Sequence, residues 1–180
     1  LPTRCSLAEL QKDAARAKSI FRSEGIEEPL DLYNRFFDRF ATLFRALIDN
    51  LPALAADPVD AELVANLLQG RNEQKAFRYL TAPPISADDL VTIADATLTP
   101  SRLRTDAASA KRVRDTILTI IDPHRFPWVP QKRRPTMEER ERAVMASAVL
   151  AATRDVETSR RTTSKDSQEK AVQDLLASIG

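Results

Sequence analysis

The chain has 180 residues, of which 43% are hydrophobic and 29% are charged, a composition typical of a globular protein. No apolar run approaches the roughly 18 residues that a membrane-spanning helix needs. A single Cys and a single His exclude an ordinary zinc site built from those ligands. Because the lone Cys cannot form an internal disulfide, we expect a reducing, cytoplasmic location.

Both ends of the sequence indicate a piece of a longer protein. The chain opens on Leu1 rather than Met and closes on DLLASIG, directly after an apolar helical stripe. A strand would naturally follow such a stripe, so we expect further chain there.

Apolar residues recur at helical spacing throughout, which predicts an all-α fold, an irregular domain of about seven or eight helices. Capping residues and helix breakers place these helices near 7–24, 29–51, 61–70, 72–80, 87–97, 100–121, 137–157 and 165–178. Gly25 and Pro52 are expected to end the first two helices, and the polar run 158–164 to separate the last two. The Phe-rich helix 29–51 is the expected core helix, with a dimer seam or peptide groove as the alternative.

Positive charge is concentrated in the middle of the chain. Residues 97–134 contain nine Lys and Arg against three Asp and Glu, whereas the whole chain has a net charge of +1. A local basic zone attracts polyanions even in a nearly neutral protein. A solvated helix face would explain the same excess.

The segment 120–135, IIDPHRFPWVPQKRRP, holds four of the eleven prolines and the only Trp. Proline at this density excludes helix and predicts a stiff, extended connection. Phe126 and Trp128 argue against disorder, because disordered linkers are poor in aromatic residues. We therefore expect an ordered, aromatic-anchored, basic loop, and we call residues 122–135 the proline loop.

Two basic clusters are candidates for binding a polyanion. They contain Arg125, Lys132, Arg133 and Arg134 in the proline loop, and Arg160, Arg161 and Lys165 near the end of the chain. Guanidinium groups bind phosphates bidentately and read guanine edges, and the hydroxyl-rich run around Arg160 also suits phosphate. We expect both clusters to converge on one groove. Scattered surface arginines are the alternative.

Glu169 is the candidate acid. On a helix it falls in one stripe with Lys165, Val172 and Leu176. A carboxylate among apolar residues is expected to be partly desolvated, which costs free energy unless a partner compensates. Either Lys165 pairs with Glu169, or Glu169 points into a metal site.

The spacing of Asp60 from Glu73 and Lys75 matches the bare pattern of metal-dependent nucleases that use two acids and a lysine. We reject this match. Those residues stand on adjacent strands in such nucleases, whereas Asp60 and Glu73 lie in helical patterns here.

The run DPHRFPWVPQKRRPTMEERERAVMASAVLAA, followed by TSRR and KDSQEKAVQDLL, resembles the XamI-type restriction endonucleases, most clearly over residues 115–180. The resemblance implies Mg²⁺-dependent type II cleavage of double-stranded DNA at short specific sequences, commonly by a homodimer. It implies a helical N-terminal domain at 1–121, the basic loop at 122–135 and the helical start of the nuclease domain at 136–180.

The resemblance also assigns roles near the end of the chain. The last helix would be the first helix of a PD-(D/E)xK α/β core, with Glu169 at the Mg²⁺ site and Gln168 among the DNA contacts. The strands that carry the Asp and the Glu-x-Lys would lie beyond Gly180.

A non-catalytic, all-helical protein-interaction or DNA-binding module is the alternative to a nuclease. Its Phe-rich helix would dock a protein partner, and its arginines would be solvated. A helical transcriptional regulator is a weaker alternative, because no helix-turn-helix spacing is evident.

Overall fold

A computed structural model describes residues 6–179, with side chains at all of them except 164, 167, 171, 178 and 179. The elements in chain order are α1 (Leu7–Arg22), a π-helical segment (Ser23–Glu27), α2 (Glu28–Leu54), α3 (Ala61–Asn66), α4 (Arg71–Arg78), α5 (Ala87–Ala94), α6 (Pro100–Thr105), α7 (Ala107–Thr119) and α8 (Met137–Ile179). Across these residues the one β-type pairing is an isolated antiparallel bridge between Thr81 and Ile121. The prediction of an all-α fold is confirmed.

None of the helices within residues 6–179 combines the length and the apolar character needed to cross a membrane. The chain divides into two compact units, one formed by Leu1–Phe36 with Thr153–Gly180 and the other by Phe37–Ala152. The boundaries fall inside α2 and α8. The functional division at residues 121 and 135 stays a prediction.

The unit Phe37–Ala152 contains the buried core. The helix α2 contributes Phe40, Phe44, Leu47, Ile48, Leu51 and Leu54. The rings of Phe40 and Phe44 are fully buried, with centroids 6.3 Å apart. Burial of a large apolar side chain stabilises the fold by roughly 1.5–3 kcal/mol. The prediction that this helix forms the core is therefore confirmed.

Alanines of α8 face the same core. Ala143, Ala148, Ala151 and Ala152 are buried there, and small side chains let a neighbouring helix approach closely. Arg45 of α2 donates to Glu141 of α8 at 3.2 Å, which fixes these two helices as neighbours at the surface of the unit. The exposed ion pair adds little stability compared with the buried alanine face.

Local capping signals predict most helix starts correctly. The side chains of Ser6, Asp60 and Ser86 each accept a hydrogen bond from a backbone N–H three residues later. This arrangement satisfies a donor that the first helical turn leaves free.

Several predicted helix ends are wrong. Gly25 does not end the first helix, because a π-helical turn with wider hydrogen-bond spacing carries the chain from α1 into α2. Pro52 does not end α2. It removes only its own N–H from the helix, and the N–H of Ala55 still donates to the carbonyl of Leu51 at 2.9 Å.

The predicted helix 100–121 is two helices. Asp106 leaves helical geometry with φ −125° and ψ 86°, and its side chain accepts from the N–H of Ser109 at 3.0 Å to begin α7. Ile121 is buried, whereas Ile120 is 39% exposed. A short polar side chain that caps the next helix explains the break.

The helix α8 is continuous, so the prediction of two helices separated by residues 158–164 is wrong. The hydroxyls of Thr158, Thr162 and Thr163 donate to backbone carbonyls four residues earlier, at 2.9, 3.1 and 3.0 Å. Hydroxyl groups that bond to the preceding turn in this way are compatible with helix. The polar run therefore stays helical.

Two apolar stripes, one on α1 and one near the end of α8, are exposed. Leu7 and Phe21 of α1 are 73% and 70% exposed, and Val172 and Leu176 of α8 are 55% and 65% exposed. Leu175 is exposed as well, and the side chain of Ile179 lies outside the described residues. Apolar periodicity shows that a helix face suits a partner but does not show that one is present.

Arg114 is a buried clamp rather than a surface cation. Its guanidinium donates to the carbonyls of Leu54 and Ala56 at 3.3 and 2.9 Å and to the carboxylate of Asp57 at 2.8 Å. Its Nε lies 2.6 Å from a carboxylate oxygen of Asp115. These contacts satisfy carbonyl groups that the end of α2 leaves without intrahelical partners.

We predict that Arg114→Ala lowers the free energy of unfolding by roughly 2–4 kcal/mol, since each buried polar group left unpaired costs about 1–3 kcal/mol. Urea denaturation of the chain measures this loss. Lys111→Ala is the matched control on the same helix, because Lys111 is exposed, and surface substitutions change stability by about 0.5 kcal/mol or less. Equal losses in the two variants would contradict the clamp.

Candidate nucleic-acid interface

The proline loop is ordered and anchored by its aromatic residues, as predicted. Phe126 and Trp128 are buried, and their rings meet edge to face with centroids 5.7 Å apart. The expected extended path is wrong, because the loop consists of successive turns. The N–H groups of Val129, Lys132 and Arg133 donate to the carbonyls of Phe126, Val129 and Trp128, each at 3.1 Å.

Arg125 holds the proline loop to the rest of its unit. Its Nε donates to Asp122 at 2.6 Å, and its two terminal nitrogens donate to the hydroxyl of Ser147 at 3.0 Å and the carbonyl of Thr81 at 2.9 Å. Only 11% of the Arg125 side chain is exposed. These contacts give Arg125 a role inside the fold, and its contact with DNA stays a prediction.

Asp122 is the acceptor at the start of the proline loop. It accepts from the backbone N–H of His124 at 2.9 Å as well as from Arg125. Burial by itself raises the pKa of Asp122, but the hydrogen bonds from Arg125 and from the backbone outweigh it, so the pKa is lowered. The carboxylate is therefore charged at neutral pH and paired with Arg125.

Arg133 is also committed to contacts within the chain. Its terminal nitrogens bind both carboxylate oxygens of Glu139 at 2.8 and 2.5 Å, and its Nε donates to Gln131 at 2.7 Å. Glu139 and Thr136 form a capping box at the start of α8, with bonds of 2.8 and 3.1 Å between side chain and backbone. The hydrogen bonds from Arg133 are the main cause that lowers the pKa of Glu139 to about 2.

Lys132 and Arg134 are exposed on the proline loop, as Arg133 is in part. Within the described part of the chain, neither Lys132 nor Arg134 pairs with a carboxylate. Lys132 has φ 51°, a left-handed conformation that is uncommon outside glycine and that turns the chain sharply at this point. Together with Arg133, they line a surface pocket of about 580 Å³ against the end of α2.

The second basic cluster lies on the part of α8 that belongs to the other unit. Arg160, Arg161 and Gln168 are exposed there. Arg160 and Gln168 line a pocket of about 650 Å³ that also contains Glu24 and Glu28. The two carboxylates weaken the attraction of this pocket for phosphate. Because this cluster and the proline loop belong to different units, their convergence on one groove stays a prediction.

Glu169 is exposed, so the expectation that it is partly desolvated is wrong. Its side chain is 60% exposed and lies 3.5 Å from the ammonium of Lys165, which is 73% exposed. Such an exposed pair contributes only about 0.3–0.5 kcal/mol. The residues that the structure describes hold no group of three or more His, Cys, Asp or Glu side chains able to bind a metal. The role of Glu169 at a metal site stays a prediction.

Much of the basic zone predicted at 97–134 serves the fold instead of the surface. Arg104 donates to Glu62 at 3.0 Å and to Asn66 at 2.8 Å. Arg112 donates to the carbonyls of Ala94 and Asp95 at 2.9 and 2.8 Å. Sequence reasoning missed these contacts, because a count of charges does not distinguish a free arginine from one that caps the end of a neighbouring helix.

The fold agrees with the sequence-based conclusion that Asp60, Glu73 and Lys75 are not a nuclease motif. Asp60 is the N-cap of α3, and Glu73 and Lys75 lie in α4. None of the three residues lies on a strand, whereas the motif requires strands.

Comparison with known proteins extends the similarity beyond residues 115–180. The family model described as XamI restriction endonuclease matches residues 57–180. The type II restriction enzyme XamI of Xanthomonas campestris pv. amaranthicola is 39% identical over 183 residues, which cover 99% of this chain and 65% of that enzyme. The chain thus spans less than two thirds of the length of this relative. No solved structure matches the chain. With a family match over most of its length, the chain belongs to the XamI restriction endonuclease family.

Proposed function

We propose that this chain is the helical, DNA-binding part of a type II site-specific restriction endonuclease that hydrolyses phosphodiester bonds in double-stranded DNA. Membership of the XamI family supports this activity. The observation that carries the DNA-binding role is the pair of exposed cations, Lys132 and Arg134, on a loop whose other charged groups are committed to internal contacts. We place the enzyme in the cytoplasm, and a homodimer is part of the proposal.

The proline loop would deliver its cations to DNA at low entropic cost. Buried Trp128 and the Arg133–Glu139 pair fix the backbone on both sides of Lys132. Binding then orders only the side chains of Lys132 and Arg134, since the backbone is already fixed. Contacts of this kind with phosphates supply affinity and register and release counterions from the DNA. Arg160, Arg161 and Gln168 would add contacts from α8.

The catalytic core is proposed to be of PD-(D/E)xK kind, with the end of α8 as its first helix and with its Asp and Glu-x-Lys beyond Gly180. Glu169 fits the role of a Mg²⁺ ligand in one respect, since its exposed carboxylate is held only by a loose pair with Lys165. Mg²⁺ commonly takes one or two carboxylates, with water and substrate phosphate completing its coordination. The ion would stabilise charge on the phosphate and activate a water molecule. This chain would contribute one carboxylate.

A non-catalytic helical interaction module is the second candidate. The exposed apolar side chains of α1, such as Leu7 and Phe21, favour it. The Phe-rich helix first considered for docking does not, because Phe40 and Phe44 are buried. A protein of this class would bind duplex DNA either not at all or without dependence on salt.

We predict that the double variant Lys132→Ala with Arg134→Ala binds duplex DNA more weakly and with a shallower salt dependence. In a plot of log affinity against log salt concentration, each lost phosphate contact should make the slope shallower by about 0.9. The loss of two contacts should therefore make it shallower by roughly 2. Fluorescence anisotropy of labelled duplex between about 50 and 200 mM salt measures both quantities.

The matched control is the double variant Lys111→Ala with Arg142→Ala, which removes the same charge from exposed ion pairs with Asp115 and Glu138. It should keep the slope of the unmodified chain. An equal change of slope in both double variants would show that overall charge, and not the proline loop, drives binding.

We predict that Arg133 holds the proline loop through Glu139 and that this contribution depends on pH. The pKa of Glu139 is about 2 in the folded chain against an ordinary value of 4.5. The pair therefore contributes its full stability above about pH 4.5, and this contribution is lost as the pH falls towards about 2. Glu139→Gln should lower the free energy of unfolding at neutral pH, and its deficit relative to the unmodified chain should shrink over that window.

Urea denaturation at several pH values between neutrality and about 2 measures this deficit. Glu138→Gln is the control in the same helical turn, because the Glu138 side chain is 72% exposed and contacts only Arg142 among the described ion pairs. A deficit for Glu139→Gln that stays constant across the window would refute the proposed role of the pair.

A further inference from the structure

The pocket between the end of α2 and the proline loop combines an apolar wall with a cationic rim. Its volume is about 580 Å³. Pro52 of α2, Leu118 of α7 and Trp128 belong to the wall, and Lys132, Arg133 and Arg134 form the rim. All of these residues lie in the unit Phe37–Ala152. Pockets of this size hold small organic ligands.

The charge of this pocket is unbalanced in favour of an anion. Arg133 is neutralised by Glu139, but Lys132 and Arg134 have no carboxylate partner among the described residues, and no Asp or Glu lines the pocket. The neighbouring pocket beside Arg140 differs, because Asp49 belongs to its lining. An anion placed between Lys132 and Arg134 would therefore meet two cations and no opposing carboxylate.

The apolar wall restricts the ligand further. A free phosphate would leave exposed Pro52 and half-buried Leu118 without an apolar partner, whereas Trp128 is already buried. A ligand that carries a flat apolar group beside its phosphate would cover Pro52 and Leu118, and aromatic and apolar side chains bind nucleobases in a way that tolerates any base. The combination of phosphate and flat ring is the chemistry of a nucleotide.

We propose that this pocket binds one nucleotide unit, with the phosphate held by Lys132 and Arg134 and the base lying against the wall that includes Pro52 and Leu118. The unit has two sources with the same chemistry, a nucleotide displaced from the stack of a DNA strand or a free nucleotide. With DNA as the source, the inference rests on the proposed function. It adds to that function a pocket that takes up a base and not only the backbone.

The chain carries its own reporter for this site. Trp128 is the only tryptophan in the sequence and lines the pocket, so its fluorescence responds to an occupant without a label. Titration with deoxyadenosine monophosphate should change the emission in a saturable manner when excitation lies at the red edge, where nucleotides do not absorb. Deoxyribose 5-phosphate and inorganic phosphate should bind at least about tenfold more weakly, since they lack the base.

Two variants separate the parts of the proposed site. Lys132→Ala with Arg134→Ala should weaken binding of the nucleotide at least about tenfold, whereas the charge-matched Lys111→Ala with Arg142→Ala should leave it unchanged. Ala55 is exposed and lines the pocket, so Ala55→Phe should fill the space for the base and weaken nucleotide binding without unfolding the chain. Thermal unfolding of each variant confirms that the fold is intact.

The outcomes distinguish this inference from the proposed function. Equal affinity for nucleotide and inorganic phosphate, or nucleotide binding unaffected by both variants, overturns the inference. Salt-dependent duplex binding with no response of Trp128 to either nucleotide or DNA overturns the inference and leaves the proposed function standing. A response to single-stranded or mismatched DNA identifies DNA as the source, and a response to the mononucleotide with no DNA binding supports the pocket while rejecting the proposed function.

Discussion

The three bonds of Arg125 determine the shape of the proline loop. A proline-rich backbone has few N–H donors, so it cannot supply every nearby hydrogen-bond acceptor with a backbone partner. Arg125 supplies donors instead, to Asp122 within the loop, to Ser147 of α8 and to the carbonyl of Thr81. Burial of Trp128 completes the anchor, although its Nε1 finds no acceptor among the described residues. The unpaired N–H costs about 1–3 kcal/mol. The free energy gained by burying a ring as large as indole is equal to this cost or greater.

The same use of arginine explains why charge in the sequence overstates charge at the surface. The middle of the chain has nine Lys and Arg against three acids. Arg114 and Arg112, however, donate hydrogen bonds to carbonyls at the ends of α2 and α5. An arginine that replaces missing helical hydrogen bonds is unavailable to a ligand. Fewer cations of the proline loop are therefore available to a ligand than the sequence indicates, and these are mainly Lys132 and Arg134.

Features that depend on a few neighbouring residues were predictable, and features that depend on distant contacts were not. The caps at Ser6, Asp60 and Ser86 follow from side chains three residues from their partners, and the buried face of α2 follows from its spacing. The unbroken path of α8 depends on which carbonyl each threonine hydroxyl finds. The exposure of Glu169 depends on whether another element covers α8, which periodicity does not report. For the candidate site, the sequence predicted the ordered basic loop but not the internal partners of Arg125 and Arg133.

A fixed loop and an exposed helix would serve different parts of DNA recognition. Contacts from Lys132 and Arg134 to phosphates are the same for every sequence, so a site-specific enzyme needs other side chains that reach base edges. Arginine pairs bidentately with guanine and glutamine with adenine in the major groove. Arg161 and Gln168 have that chemistry and stand exposed on α8, whereas Arg125 and Arg133 are already committed to their own chain. Under the proposed function, affinity would come mainly from the proline loop, and discrimination between sequences would come from side chains that are not used to hold the fold.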